Sequence, residues 1–88
     1  MKIKDSFLIK TVAGRTIVVP VGSAALDFNA VVSLNETGAF LFTLLQKEDM
    51  TEAALADKLC AEYDVSRETA EKDISAFAKK IEEAGMLE

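Results

Sequence analysis

The chain contains no histidine and no tryptophan, one cysteine, one proline and four glycines among its 88 residues. Without histidine it lacks the commonest general base, the usual metal ligand, and any Ser-His or Cys-His nucleophile pair. A lone Cys60 cannot close an internal disulfide. It sits on the apolar stripe of an expected helix, where a cysteine acts as a small hydrophobe. Glycines at 14, 22, 38 and 85 are too scattered for a phosphate-cradling loop or a dinucleotide fingerprint. No metal and no cofactor is therefore expected, and no catalytic residue is assigned.

Clustered positive charge is also missing. Fifteen acidic against ten basic residues give a formal charge of −5, which repels phosphate backbones. The adjacent Lys79 and Lys80 are followed at once by Glu82 and Glu83. A winged-helix transcription regulator, which needs basic residues on its recognition helix, is the weaker alternative. No apolar run approaches the roughly 18 residues of a membrane span. The N-terminus, Met-Lys-Ile-Lys-Asp-Ser, lacks the apolar stretch of a secretory signal. The expectation is a cytoplasmic protein with no nucleic-acid or membrane partner.

What is present is a folding chain, half apolar and 28% charged. Its length suits one domain spanning 1–88. The first third is rich in β-branched residues, with strands expected over 7–12 and 16–21 around a turn at Ala13, Gly14 and Arg15. Pro20 has no N–H for a ladder, so it should lie at a strand end, beside a bulge, or with its nitrogen facing away from any partner. A third strand is expected over 29–34.

After Leu34 the apolar period changes from two to about 3.6. A first helix holds Ala39, Phe40, Leu41, Phe42, Leu44 and Leu45. Either Asn35 caps it, or Ser33 with Glu36 forms a capping box. Gly38 in its first turn suggests close approach of another backbone. A second helix starts at Thr51 and turns Leu55, Ala56, Leu59, Cys60 and Tyr63 to one side. A third begins after Ser66, turns Ala70, Ile74, Phe77, Ala78 and Ile81 inward, and ends at Gly85. Met86 and Leu87 should fold back as an apolar tail. The carboxylates of these helices alternate with lysines and read as a solvated face. The fold class is thus α+β, a three-stranded antiparallel sheet followed by three helices.

The segments Val18 to Gly22, Val32-Ser33-Leu34-Asn35-Glu36-Thr37-Gly38-Ala39-Phe40-Leu41, Glu62 to Val65, and Glu83 to Glu88 together resemble the PqqD family of RiPP recognition elements. The resemblance covers nearly the whole chain, and Leu-Asn-Glu-Thr-Gly is its most specific part. It implies a winged-helix-like domain that binds the leader segment of a ribosomally made precursor peptide. It further implies presentation of that leader to a maturation enzyme, commonly a radical-SAM protein. PqqD-like domains accompany pathways besides coenzyme PQQ biosynthesis, so the expected ligand is the leader segment as a class.

In the family the leader adds as a strand along the third strand, in a groove formed with the third helix. Those elements correspond here to 30–34 and 66–84. An open strand edge displays N–H and C=O groups that an extended peptide can satisfy. The strand residues expected at the peptide are Ala30, Val31, Val32, Ser33 and Leu34. On the helix they are Asp73, Ala76, Phe77 and Lys80, with the opposite flank, Glu71, Ser75 and Glu82, left open. The same edge would allow a homodimer. A non-catalytic structural subunit is the remaining alternative.

Overall fold

The computed structural model describes residues 1–22 and 32–88. Strands β1 (Phe7–Val12), β2 (Arg15–Pro20) and β3 (Val32–Leu34) precede helices α1 (Glu36–Lys47), α2 (Glu52–Glu62) and α3 (Arg67–Glu83). The sheet is antiparallel in the order β1-β2-β3. The expected α+β class and element order are those observed. Of the third strand expected over 29–34, the positions 29–31 lie outside the described residues.

The hairpin turns on two residues, Ala13 (φ 52°) and Gly14 (φ 78°). Both take the left-handed conformation that a two-residue hairpin requires, which glycine adopts without strain. Arg15, expected in the turn, instead pairs with Val12 as the first residue of β2. Because a two-residue loop is closed by a hydrogen-bonded pair, the ladder alternates from there. Arg15, Ile17 and Val19 bond towards β1, whereas Thr16, Val18 and Pro20 face the other way. Pro20 thereby turns its ring nitrogen away from β1, as its missing donor demands.

One face of the sheet carries Phe7, Ile9, Val18, Val32 and Leu34 and closes onto the helices. Phe7, Val18 and Leu34 are buried together with Leu41, Phe42, Leu45, Leu55, Leu59, Ile74, Phe77 and Ile81. The sheet face opposite presents Leu8 and Val12 to solvent. Each helix starts on a side-chain cap: Asn35 accepts from the Gly38 amide (2.8 Å), Thr51 from Ala54 (3.1 Å) and Ser66 from Thr69 (3.1 Å). Of the two caps considered for α1, Asn35 is the one used.

Gly38 needs a different explanation from the one its position suggested. A Cβ there would lie 2.9 Å from the Asn35 side-chain oxygen and 3.6 Å from the Leu34 side chain. The residue makes room for its own helix cap and for the end of β3, and the close neighbours are side chains rather than a second backbone.

Helix α3 ends in a Schellman motif. Gly85 (φ 75°) donates to the Glu82 carbonyl (3.0 Å), and Met86 donates to Ile81 (3.0 Å). The chain then runs back along the N-terminus, with Lys4 donating to Met86 and Glu88 to Lys2 (each 2.9 Å), and Met86 is buried. Gly85→Ala forces a Cβ into the left-handed region and should cost about 1 kcal/mol. Urea denaturation followed by circular dichroism checks this, with a lowered midpoint and an unchanged slope expected.

Candidate functional site

The alternation of the β2–β3 ladder decides which backbone groups of β3 are open. Thr16 and Val18, the β2 residues facing β3, stand opposite Leu34 and Val32. Those two residues therefore spend their N–H and C=O on β2, and Ser33 between them points both groups outward. A second observation agrees. The Ser33 carbonyl accepts a hydrogen bond from Lys80 Nζ on α3 at 2.6 Å. Among the described residues no strand pairs with this outer edge.

Between the edge and α3 lies a hollow of about 260 Å3, walled by β3, the first turns of α1 and one flank of α3. Leu34, Leu41 and Phe77 supply the apolar walls, of which Leu34 and Phe77 are 8% and 7% exposed. Asp73, Ala76 and Lys80 are exposed along the rim. Ala76 is what keeps the rim open, since its methyl group is the smallest side chain available between the two charged ones. A second hollow, about 490 Å3, borders the other side of the β3 end and is lined by Gly14, Thr16, Ser33, Asn35, Glu36 and Ala39. Leu34 and Asn35 belong to both.

The residues singled out in the sequence fall as follows. Leu34, Asp73, Ala76, Phe77 and Lys80 come together around the first hollow, and Ser33 lines the second. Val32 is half-buried and packs on the core, with its backbone engaged by β2. Ala30 and Val31 lie outside the described residues. Phe77 has two environments, the core on one side and the hollow on the other. Not anticipated from the sequence are Asn35, which caps α1, and Thr37, Gly38 and Leu41 within it, all of which line the wall. The signal was there in Gly38, whose missing Cβ opens the first turn of α1 beside Leu34.

Of the opposite flank of α3, Glu71 has a defined place away from this hollow. Glu71 turns towards α2, lining a hollow with Glu52, Ala53 and Ile74 and bonding Arg67 at 3.2 Å. Hydrogen bonds that Arg67 donates to Asp57 first, then to Glu71, hold its guanidinium even more firmly protonated than usual. Tyr63, edge-on to Phe40 at 5.5 Å, has its hydroxyl pKa raised by desolvation and then by Glu36 and Glu62. Both are structural contacts away from the groove. Among the described residues no group of three or more Cys, Asp or Glu could hold a metal ion, and no helix is long and apolar enough to cross a membrane.

Comparison with known proteins places this geometry. The family model described as coenzyme PQQ synthesis protein D (PqqD) matches residues 14–87. TbiB1 in complex with the TbiA(beta) leader peptide superposes with a TM-score of 0.73 at 25% identity, covering 100% of this chain and 95% of that one. Lasso peptide synthetase B1 complexed with the leader peptide gives 0.70 at 25% identity, over 97% of this chain and 93% of that one. No match was found among curated proteins.

Proposed function

This chain belongs to the PqqD family, and we propose from that premise that it captures the leader segment of a ribosomally made precursor peptide and presents it to a maturation enzyme. The observation that carries the reading is the outward-facing Ser33 beside an apolar hollow. An extended peptide lying between β3 and α3 exchanges backbone hydrogen bonds with Ser33 and sinks side chains against Leu34, Leu41 and Phe77. Both solved relatives are complexes with a leader peptide. Their likeness extends over nearly all of this chain, which supports residues 1–88 acting as one recognition domain.

Strand addition needs donors, acceptors and a shaped groove, and no chemistry of the chain's own. The role is therefore that of a non-catalytic partner working in the cytoplasm beside the enzyme that modifies the peptide, a radical-SAM protein or another maturase. The same edge would also pair with a second copy at high concentration, so peptide competes with self-association. An acidic surface with charge −5 argues against the regulator alternative.

Ligands for a test come from a display library of random linear peptides panned on the native chain and then synthesised. Calorimetry should give micromolar or tighter binding. Ala76→Arg places a long charged side chain across the hollow and should weaken that binding at least about ten-fold. Arginine forms helix about as well as most residues, so the circular dichroism spectrum should not change. Failure to enrich any peptide, or an unchanged affinity in the folded variant, overturns the proposal.

A further inference from the structure

The Lys80 ammonium occupies the very acceptor that an added strand requires. It donates to the Ser33 carbonyl at 2.6 Å across the groove. It makes no ion pair with any carboxylate among the described residues. Glu83 is within reach in sequence, three residues on along α3, yet the lysine turns to the strand instead. A peptide N–H that takes the Ser33 carbonyl either displaces this ammonium or shares the oxygen's second lone pair with it, and in both cases the cation stands over the bound chain.

Lys80 is exposed, so its ammonium loses little when water replaces the carbonyl, but it stays as a fixed positive charge beside the bound chain, where an opposite charge gains a rim ion pair. The carboxylate on the same rim, Asp73, stands seven residues earlier on α3, about 10 Å along the helix axis. It cannot serve without abandoning the other end of the hollow. Of the partners within reach, water and the exposed Glu83 carry no information about the peptide, whereas a carboxylate carried by the peptide strand itself gives the pair a fixed register.

Resting on the leader-capture reading above, we propose that Lys80 is a specificity-determining residue for the bound peptide. When a peptide strand takes the Ser33 carbonyl, the ammonium beside it pairs with an aspartate or glutamate of that peptide, at the register position beside Ser33. Acidic residues are thereby selected at that position over neutral or basic ones. The overall charge of −5 works in the opposite direction, repelling acidic peptides at long range. The preference must therefore be confined to one register position, which distinguishes it from general electrostatic attraction.

The random-peptide library, panned in parallel on the native chain, Lys80→Met and Lys80→Glu, tests this. Peptides enriched on the native chain should share an aspartate or glutamate at one fixed position. Lys80→Met, which keeps the aliphatic stem, should lose that preference, and Lys80→Glu should replace it with lysine or arginine at the same position. Changing the shared acid to its amide should weaken native binding about five-fold and Lys80→Met binding less than two-fold, as for a rim ion pair.

Native binders without a positional acid, or an acidic preference that survives in Lys80→Met, overturn the assignment. Ser33→Pro separates this failure from that of the parent reading. If Ser33→Pro loses the peptides while the acid preference ignores Lys80, only the lysine assignment falls. If Ser33→Pro retains them, or no variant enriches any peptide, both fall.

Discussion

Ser33→Pro should reduce peptide affinity by about ten-fold to a hundred-fold while leaving the fold in place. Proline removes one backbone donor, and at position 33 that donor faces outward, because Val32 and Leu34 on either side are the residues opposite Val18 and Thr16. No bond of the native sheet is lost. Proline is tolerated on edge strands for the same reason. The bound peptide, by contrast, meets a ring where it needs an N–H. Leaving one of its carbonyls desolvated and unpaired costs about 1–3 kcal/mol.

Val32→Pro is the contrasting control. There the lost donor belongs to the β2–β3 ladder, so stability and binding should fall together. Calorimetry with a selected peptide and urea denaturation, run on both variants, separate the two outcomes. Retained affinity in a folded Ser33→Pro protein would mean that the peptide does not use this edge.

Phe42→Ala should be the most damaging single truncation of the fold. Phe42 is completely buried in α1, within the core shared by the sheet and all three helices. Emptying such a site costs about 3–5 kcal/mol through lost transfer energy and the cavity left behind. Domains of this size have roughly 4–13 kcal/mol in total, at 0.05–0.15 kcal/mol per residue. The urea midpoint should therefore drop steeply, and the variant should be partly unfolded at 37 °C.

Phe40, two residues away, is a different case. It is half-buried and touches Tyr63 edge-on, so its truncation should cost markedly less. The functional consequence follows from placement. Leu41, between the two phenylalanines, is both core and groove wall, so loosening α1 loosens the site. A loss below about 1.5 kcal/mol in Phe42→Ala would show that the core is not organised around this ring.

Much of the framework around the groove is legible in the sequence, because its parts are ordinary core elements with one unusual neighbour. The period-two run of the hairpin and the 3.6-residue stripes of the helices reflect which face each element must bury. That requirement is written locally. Asn35, Thr51 and Ser66 mark helix starts because their side chains satisfy amides within their own first turn. Gly85 marks an end for an equally local reason.

The misreadings were of another kind. Arg15 reads as a turn residue because a turn at Gly14 can take two residues or three, and only the strand register decides. The purpose of Gly38 depends on where the Leu34 side chain comes to rest. The choice between the two flanks of α3 was open because Asp73 and Glu71 are equally good surface residues on an isolated helix. Packing against α2 and β3 tells them apart.

The sequence by itself determined the element order, the α+β class, the caps of α2 and α3, most of the helix residues that enter the core and, through its resemblance, the family. These depend on hydrophobic periodicity and on contacts between near neighbours in the chain. The tertiary structure alone decided that Ser33 is the residue of β3 with outward backbone groups, that the Asp73, Ala76, Phe77 and Lys80 flank faces it, and that Lys80 reaches its carbonyl from 47 residues away. Which side of a strand stays open is fixed by the parity of its pairing with another strand, and parity is a property of two segments brought together, not of either one read alone.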